Sequence, residues 1–201
     1  MSNAAIDFYL DFVSPYAYLA SLRIDEMAAR HDRDVAWRPI MLGAVFKVVG
    51  TGPIVNYPLK GPYAERDLAR SARQLGIEIF LPEGFPHATL AAARGFYWLT
   101  DADPGKAKPF ARAFFATYFQ EGRNVTPAED TAKVAASVGV DEAAFLDAVQ
   151  DVAIKDRLKT ETSAAMDRGV FGAPFMFVDG EPFWGSDRLD QVERWIETGG
   201  W

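Results

Sequence analysis

Residues 6–12, IDFYLDF, set Ile6, Phe8, Leu10 and Phe12 alternately with Asp7, Tyr9 and Asp11, the period-two pattern of a strand with one buried face. From residue 15 to about 30 the spacing changes: Leu19, Leu22 and Met27, with the small Ala17, Ala20 and Ala28, fit one amphipathic helix that has Ser14 at its N-cap and Pro15 at its first position. After a short polar turn, VAWRPI at 35–40 reads as a second strand. A strand, a helix and a strand in so short a span favour a parallel pair joined by a right-handed crossover.

Residues 42–63, LGAVFKVVGTGPIVNYPLKGPY, are rich in Gly and Pro and read as an irregular connection or a short broken helix, a kind of long loop that often carries function. A helix follows over AERDLARSARQLG, closed by Gly76; LPEGFPHA at 81–88 is a break, and further helices are expected at about 89–100 and 106–121. Thr126 and Pro127 are placed to open the next helix, and Asp141 the one after it. Past Met166 the pattern returns to strands: one around 175–178, a turn at Asp179-Gly180, a second around 182–184, then a last helix capped by Ser186 or Asp187 with Leu189, Val192, Trp195 and Ile196 facing the core. The order β-α-β, helices, β-β-α is an α/β, thioredoxin-like arrangement. Its two halves, 1–62 and 168–201, are interrupted by an all-helical insertion over 63–167.

Composition narrows the chemistry. At 201 residues, 49% of them apolar and 24% charged, the chain has the make-up of a folded protein with one well-buried core. A formal charge of −7 without a Lys/Arg cluster argues against nucleic acid and anionic membranes as partners, while leaving room for a local basic pocket. With no cysteine there are no disulfides, thiolate metal sites or Cys nucleophile, so a reactive thiol has to arrive on a ligand. The only two histidines, His31 and His87, lie far apart in sequence and supply little for a zinc site or a Ser/His relay. No apolar run approaches the roughly 20 residues of a membrane span, and the first residues lack the basic start and apolar core of a signal peptide, so a cytoplasmic protein is expected. The Ser-Asn-Ala at 2–4 is of the kind an expression tag leaves behind, which one sequence does not decide.

Three places could carry chemistry. Ser14 joins the first strand to the first helix, where unpaired N–H groups favour an anion; position alone makes it a helix cap before a reagent. In VFGAPFMFVDG, Pro174 starts a strand at the slot that in a thioredoxin-like layout holds a cis-proline, so that Ala173 presents its backbone to an extended peptide. In WGSDR, Ser186 and Asp187 open the last helix, as caps or as a pair suited to an α-amino acid head. Phe12, Tyr16, Trp37 and Tyr63 are core residues or the walls of an aromatic pocket.

Taken together and in order, DFVSPYAYLA, NYPLKGPY, VFGAPFMFVDG and WGSDRL resemble the 2-hydroxychromene-2-carboxylate isomerase family, close to the kappa-class glutathione transferases. The likeness runs over almost the whole chain, with the insertion in the same place. The resemblance implies that Ser14 is the family's catalytic serine, hydrogen-bonded to the sulfur of bound glutathione. It implies that Ala173, next to Pro174, pairs with the cysteinyl backbone of glutathione, and that Trp184, Gly185, Ser186 and Asp187 hold the γ-glutamyl end. Asn56 and Lys60 match positions that contact glutathione or a substrate carboxylate, and His87 departs from the commoner asparagine. The implied activity is glutathione-dependent isomerisation of 2-hydroxychromene-2-carboxylate to trans-o-hydroxybenzylidenepyruvate in aromatic catabolism, by a homodimer. A kappa-like glutathione transferase or peroxidase, and a non-catalytic peptide-binding module, are the alternatives.

Overall fold

A computed structural model describes residues 5–201 of the chain; the Ser-Asn-Ala stretch at 2–4 lies outside them. Strand β1 (Ile6–Leu10) lies inside a sheet ordered β2-β1-β3-β4, with β2 at Val35–Pro39, β3 at Phe175–Val178 and β4 at Glu181–Trp184. β2 runs parallel to β1, β3 antiparallel to β1 and β4 antiparallel to β3, and Phe8 stands opposite Trp37 on one side and Met176 on the other. Asp179 and Gly180 between β3 and β4 both take left-handed backbone, φ 53° and 95°, as a two-residue hairpin turn requires. The helices are α1 (Pro15–Ser21), α2 (Ile24–Ala29), α3 (Leu42–Val49), α4 (Lys60–Gln74), α5 (Leu90–Ala102), α6 (Pro104–Phe115), α7 (Ala128–Ala136), α8 (Glu142–Gln150), α9 (Val152–Asp167) and α10 (Leu189–Thr198). None among the described residues is long and apolar enough to cross a membrane.

The structure departs from the sequence pattern in several places. β1 is buried on both faces: Phe8 and Leu10 face one apolar cluster, while Tyr9 packs with Ile40, Val45, Phe175 and Phe177 under α3 and α9 in another. The alternation hid this because Asp7 and Asp11 are polar yet satisfied, Asp7 by Arg38 at 2.6 Å and by Arg168. Those two guanidinium groups hold the Asp7 carboxyl below its usual range against a burial that pushes it up. The single helix expected over 15–30 is two, broken at Leu22 and Arg23; the Ser21 hydroxyl turns back onto the Tyr18 carbonyl at 2.7 Å, and Leu22, expected in the core, is left exposed. Thr126 does not cap the next helix: its hydroxyl donates to Asn124 Oδ1 at 2.7 Å and α7 starts at Ala128. The helix expected over 106–121 is α6, which begins at Pro104 and passes into a π turn at Ala116–Gln120.

That π turn joins the helices to the sheet. Phe12, just past β1, has its ring centroid 5.1 Å from Phe115 and 5.2 Å from Phe114, and Tyr18 of α1 stacks on Phe115 at 5.4 Å and Phe119 at 5.6 Å. One apolar cluster therefore contains β1, α1, α5, α6 and α8 residues alike. Such aromatic pairs contribute about 0.5–1.5 kcal/mol each beyond their buried area, and they fix the end of β1 and the start of α1 against the insertion.

A close helix contact inside the insertion is made at Gly95 of α5, where a methyl group would land in the Phe145 ring of α8. Phe145 is fully buried, 5.4 Å from Phe110 and 6.1 Å from Trp98, and has nowhere to move. Helix propensity alone would make Gly95→Ala stabilising by about 1 kcal/mol, but overpacking costs about 1–3 kcal/mol. The expected outcome in chemical denaturation is a net loss of stability; a gain would show that Phe145 repacks freely.

Candidate functional site

The turn between β1 and α1 is built by Asp11. Its backbone carbonyl accepts the Ser14 N–H at 2.9 Å and its Oδ1 accepts the Val13 N–H at 3.1 Å. This places Ser14 in extended backbone, φ −88° and ψ 111°, ahead of Pro15. The Ser14 Oγ accepts the Ala17 N–H at 3.1 Å, and its hydroxyl donates across to the Ala173 carbonyl at 3.0 Å. Ser14 is thus both a helix cap and a bridge to the β3 approach. In the first turn of α1, Pro15 has no N–H, Ala17 and Tyr18 bond to Ser14, and the Tyr16 N–H bonds to nothing among the described residues.

The Ala173–Pro174 peptide is cis, as the fold reading anticipated, and the Pro174 carbonyl accepts the Gly185 N–H at 3.0 Å, tying this segment to the end of β4. Phe171 and Trp184 meet edge to face at 4.9 Å above it. Gly172 is what lets Trp184 lie there: a Cβ would stand 2.6 Å from the indole Nε1.

A cleft of about 360 Å³ opens in front of Ser14. Ser14, Tyr16, Ala173, Trp184 and Lys60 line it, together with the apolar residues of α3 and the 51–57 segment, and among the described residues Lys60 is the only charged side chain on its walls. The Lys60 ammonium lies 5.4 Å from the Tyr57 ring centre. Asn56 sits in the 3-10 turn Ile54–Asn56 beside the cleft but is exposed and not on its wall. Pro174, Gly185, Ser186 and Asp187 also stand outside the lining. Ser186 and Asp187 form a 3-10 turn before α10 rather than a side-chain cap, with Asp187 paired to Arg188 at 2.8 Å. The Tyr16 hydroxyl, which donates to Asp67 at 3.2 Å, is pushed far up by burial first and then by the negative charge of Asp67. Of the other aromatics, Phe12 and Trp37 are core and Tyr63 is exposed against Arg70.

Sequence reasoning missed the most constrained group near the cleft. The Asp11 carboxylate is buried, and besides Val13 it accepts the Leu42 N–H at 2.7 Å and the Thr89 hydroxyl at 2.7 Å. Burial pushes its pKa up in spite of those three donors. It was also silent on the cis Phe85–Pro86 peptide, whose residues form the far wall. His87 lies next to them, its Nδ1 sharing a hydrogen bond of 2.7 Å with the buried Tyr118 hydroxyl. No group of His, Asp and Glu among the described residues is arranged to hold a metal ion.

Comparison with known proteins bears on the family and the fold. The family described as DSBA-like thioredoxin domain matches residues 5–197. The 2-hydroxychromene-2-carboxylate isomerase of Pseudomonas putida is 31% identical over 190 residues, 94% of this chain and 92% of the relative. Glutathione S-transferase kappa 2 of Caenorhabditis elegans is 26% identical, over 97% of this chain and 92% of the relative. Among solved structures, a 2-hydroxychromene-2-carboxylate isomerase superposes with a TM-score of 0.86 at 30% identity, covering 96% of this chain and 94% of that one.

Removing one donor from Asp11 tests its hold on the turn. Thr89→Val keeps the shape and leaves a buried carboxylate short of a hydrogen bond, at a cost of about 1–3 kcal/mol near neutral pH. The native-state pKa of Asp11, already raised, rises further, so this cost is greatest where the carboxylate is ionised and narrows as acid protonates it in both states. Denaturant unfolding of both proteins between neutral pH and about pH 4 checks the sign; a gap that widens in acid would contradict it.

Proposed function

From the premise that the chain belongs to the DSBA-like thioredoxin family and, within it, to the 2-hydroxychromene-2-carboxylate isomerase family, we propose that it is a glutathione-dependent isomerase. It converts 2-hydroxychromene-2-carboxylate, through the ring-opened benzylidenepyruvate, to the trans isomer. The observation that carries the reading is the buried Ser14 hydroxyl bridging to the Ala173 carbonyl at 3.0 Å on the wall of a largely apolar cleft that also holds Lys60.

The residues present fit glutathione. The Ala173 backbone and the Ser14 hydroxyl stand together on the wall, and the cleft of about 360 Å³ falls in the range of small-molecule sites. When bound, glutathione supplies a thiolate that adds reversibly to the conjugated double bond, which turns as a single bond before the thiolate leaves. Ser14 has one proton to donate, and in this structure Ala173 has it. Pairing of the Ala173 carbonyl with an incoming amide N–H releases the hydroxyl to turn to the sulfur, while its oxygen keeps the Ala17 N–H. The Tyr16 N–H, without a partner among the described residues, is a candidate second donor. A hydrogen bond to a charged group is worth about 1.5–3 kcal/mol, enough to raise the ionised fraction of a thiol that is only a few per cent ionised at neutral pH. Trp184 and Phe171 shield the other end, with Gly185, Ser186 and Asp187 behind them for the γ-glutamyl group. Lys60, with Asn56 beside it, offers the cleft's positive charge to a carboxylate.

The test is turnover with glutathione held well below the substrate concentration. The expected result is conversion to the equilibrium mixture with trans-o-hydroxybenzylidenepyruvate, with many turnovers per glutathione and none consumed. Stoichiometric loss of glutathione into a lasting conjugate would make this a kappa-like transferase. Conversion indifferent to glutathione would remove the thiol from the chemistry.

A further inference from the structure

The π turn at Ala116–Gln120 brings Tyr118 against His87, and π turns are rare features that recur at functional sites. The Tyr118 ring stacks on Phe114 at 5.7 Å and meets the imidazole edge to face at 5.9 Å. Tyr118 is fully buried, and among the described residues its hydroxyl has a single hydrogen-bond partner, His87 Nδ1 at 2.7 Å. That one bond decides where the imidazole carries its proton. Burial pushes the Tyr118 hydroxyl far above its ordinary value, so the phenol stays protonated. Its proton needs an acceptor, and Nδ1 serves only if it carries no hydrogen of its own. The imidazole is then neutral, with its proton on Nε2. Adding a proton at Nδ1 would leave the buried Tyr118 proton unpaired. Tyr118 therefore holds His87 as a hydrogen-bond donor and keeps it out of acid–base exchange.

Nε2 is left free to use that proton. It makes no hydrogen bond among the described residues and passes over Gly84, where a Cβ would stand 3.2 Å from it. His87 lines a cavity of about 820 Å³ that adjoins the Ser14 cleft, with Val13, Phe46, Thr51, Pro53 and Pro86 as walls of both. A molecule attacked by a thiolate at Ser14 has room to extend past Pro86 to His87. When a thiolate adds to a double bond conjugated with a ketone, the sulfur–carbon bond forms and the π electron pair moves onto the ketone oxygen as an enolate. On reversal the pair returns and the thiolate leaves, with no proton gained or lost. We propose that His87 is the catalytic donor to that oxygen, giving a hydrogen bond from Nε2 to the enolate and keeping its proton throughout, with Tyr118 as its positioning residue. This rests on the reading that Ser14 serves a thiolate. Donors fixed in advance where charge develops are usually the largest contribution to such steps, and a neutral imidazole is suited to the task.

Two measurements test this apart from turnover. Nitrogen-15 spectra of the imidazoles distinguish the tautomers, and the chain has only one other histidine, His31. Near neutral pH, His87 is expected to be neutral with its proton on Nε2 alone, and in Tyr118→Phe to exchange between tautomers. Difference Raman spectra of bound trans-benzylidenepyruvate, without glutathione, read the donor at the ketone. The carbonyl band is expected at lower frequency in the wild type than in His87→Ala, and His87→Asn, which also donates, should restore the lower frequency. In turnover, His87→Ala is expected to lower kcat about a hundredfold while moving KM less than about threefold. A wild-type imidazole protonated on Nδ1, a Tyr118→Phe spectrum like that of the wild type, absence of probe binding, or one carbonyl frequency in wild type and His87→Ala would each overturn the proposal. A carbonyl shift that depends on His87, in a protein whose turnover is indifferent to glutathione, would uphold the donor and overturn the thiol reading.

Discussion

A carboxylate cannot sit in a protein interior unless its oxygens are met by donors, and Asp11 is buried at the end of the central strand. The need is filled from the turn at Val13, the first residue of α3 at Leu42 and the threonine ahead of α5 at Thr89. These are the places where the chain enters the three walls of the candidate site. Satisfying one buried charge therefore ties together the turn that carries Ser14, the start of α3 and the segment that follows the Phe85–Pro86 loop.

The aromatic wedge completes the arrangement from the other side. Phe12 and Tyr18, on either side of Ser14 in sequence, are both packed on Phe115, so the serine is carried on a segment that cannot drift relative to α6. The helical insertion thus acts as a buttress that shares the sheet's apolar cluster. Because α1 has only seven residues, and most of its first N–H groups are occupied, the Ser14 hydroxyl and the Tyr16 N–H are the local means of stabilising an anion, more than the helix as a whole.

What could be read from the sequence was what neighbours in the chain decide. The strand at 6–12, the cap formed by Ser14 before Pro15, the Asp179-Gly180 turn and the cis-proline slot at Pro174 each depend on a few adjacent residues, and each stands where it was expected. What could not be read depends on distant partners. Asp11 looked like the polar face of a strand because two of its donors, Leu42 and Thr89, lie 31 and 78 residues away. Lys60 reached the cleft as the motif suggested, but Asn56 and the Gly185–Asp187 turn stop at its margin, since their placement depends on how the 51–60 segment and the end of β4 fold over the site.

The account turns on the hydroxyl of Ser14 serving a sulfur, and the most direct measurement is the ultraviolet absorbance of the thiolate of bound glutathione as a function of pH, in the wild type and in Ser14→Ala. The expected result is a bound thiol in the wild type that ionises about one to two pH units below the free value of about 8.5, and in Ser14→Ala a midpoint back near the free value. Equal midpoints in the two proteins would contradict the account and leave Ser14 as the cap of α1.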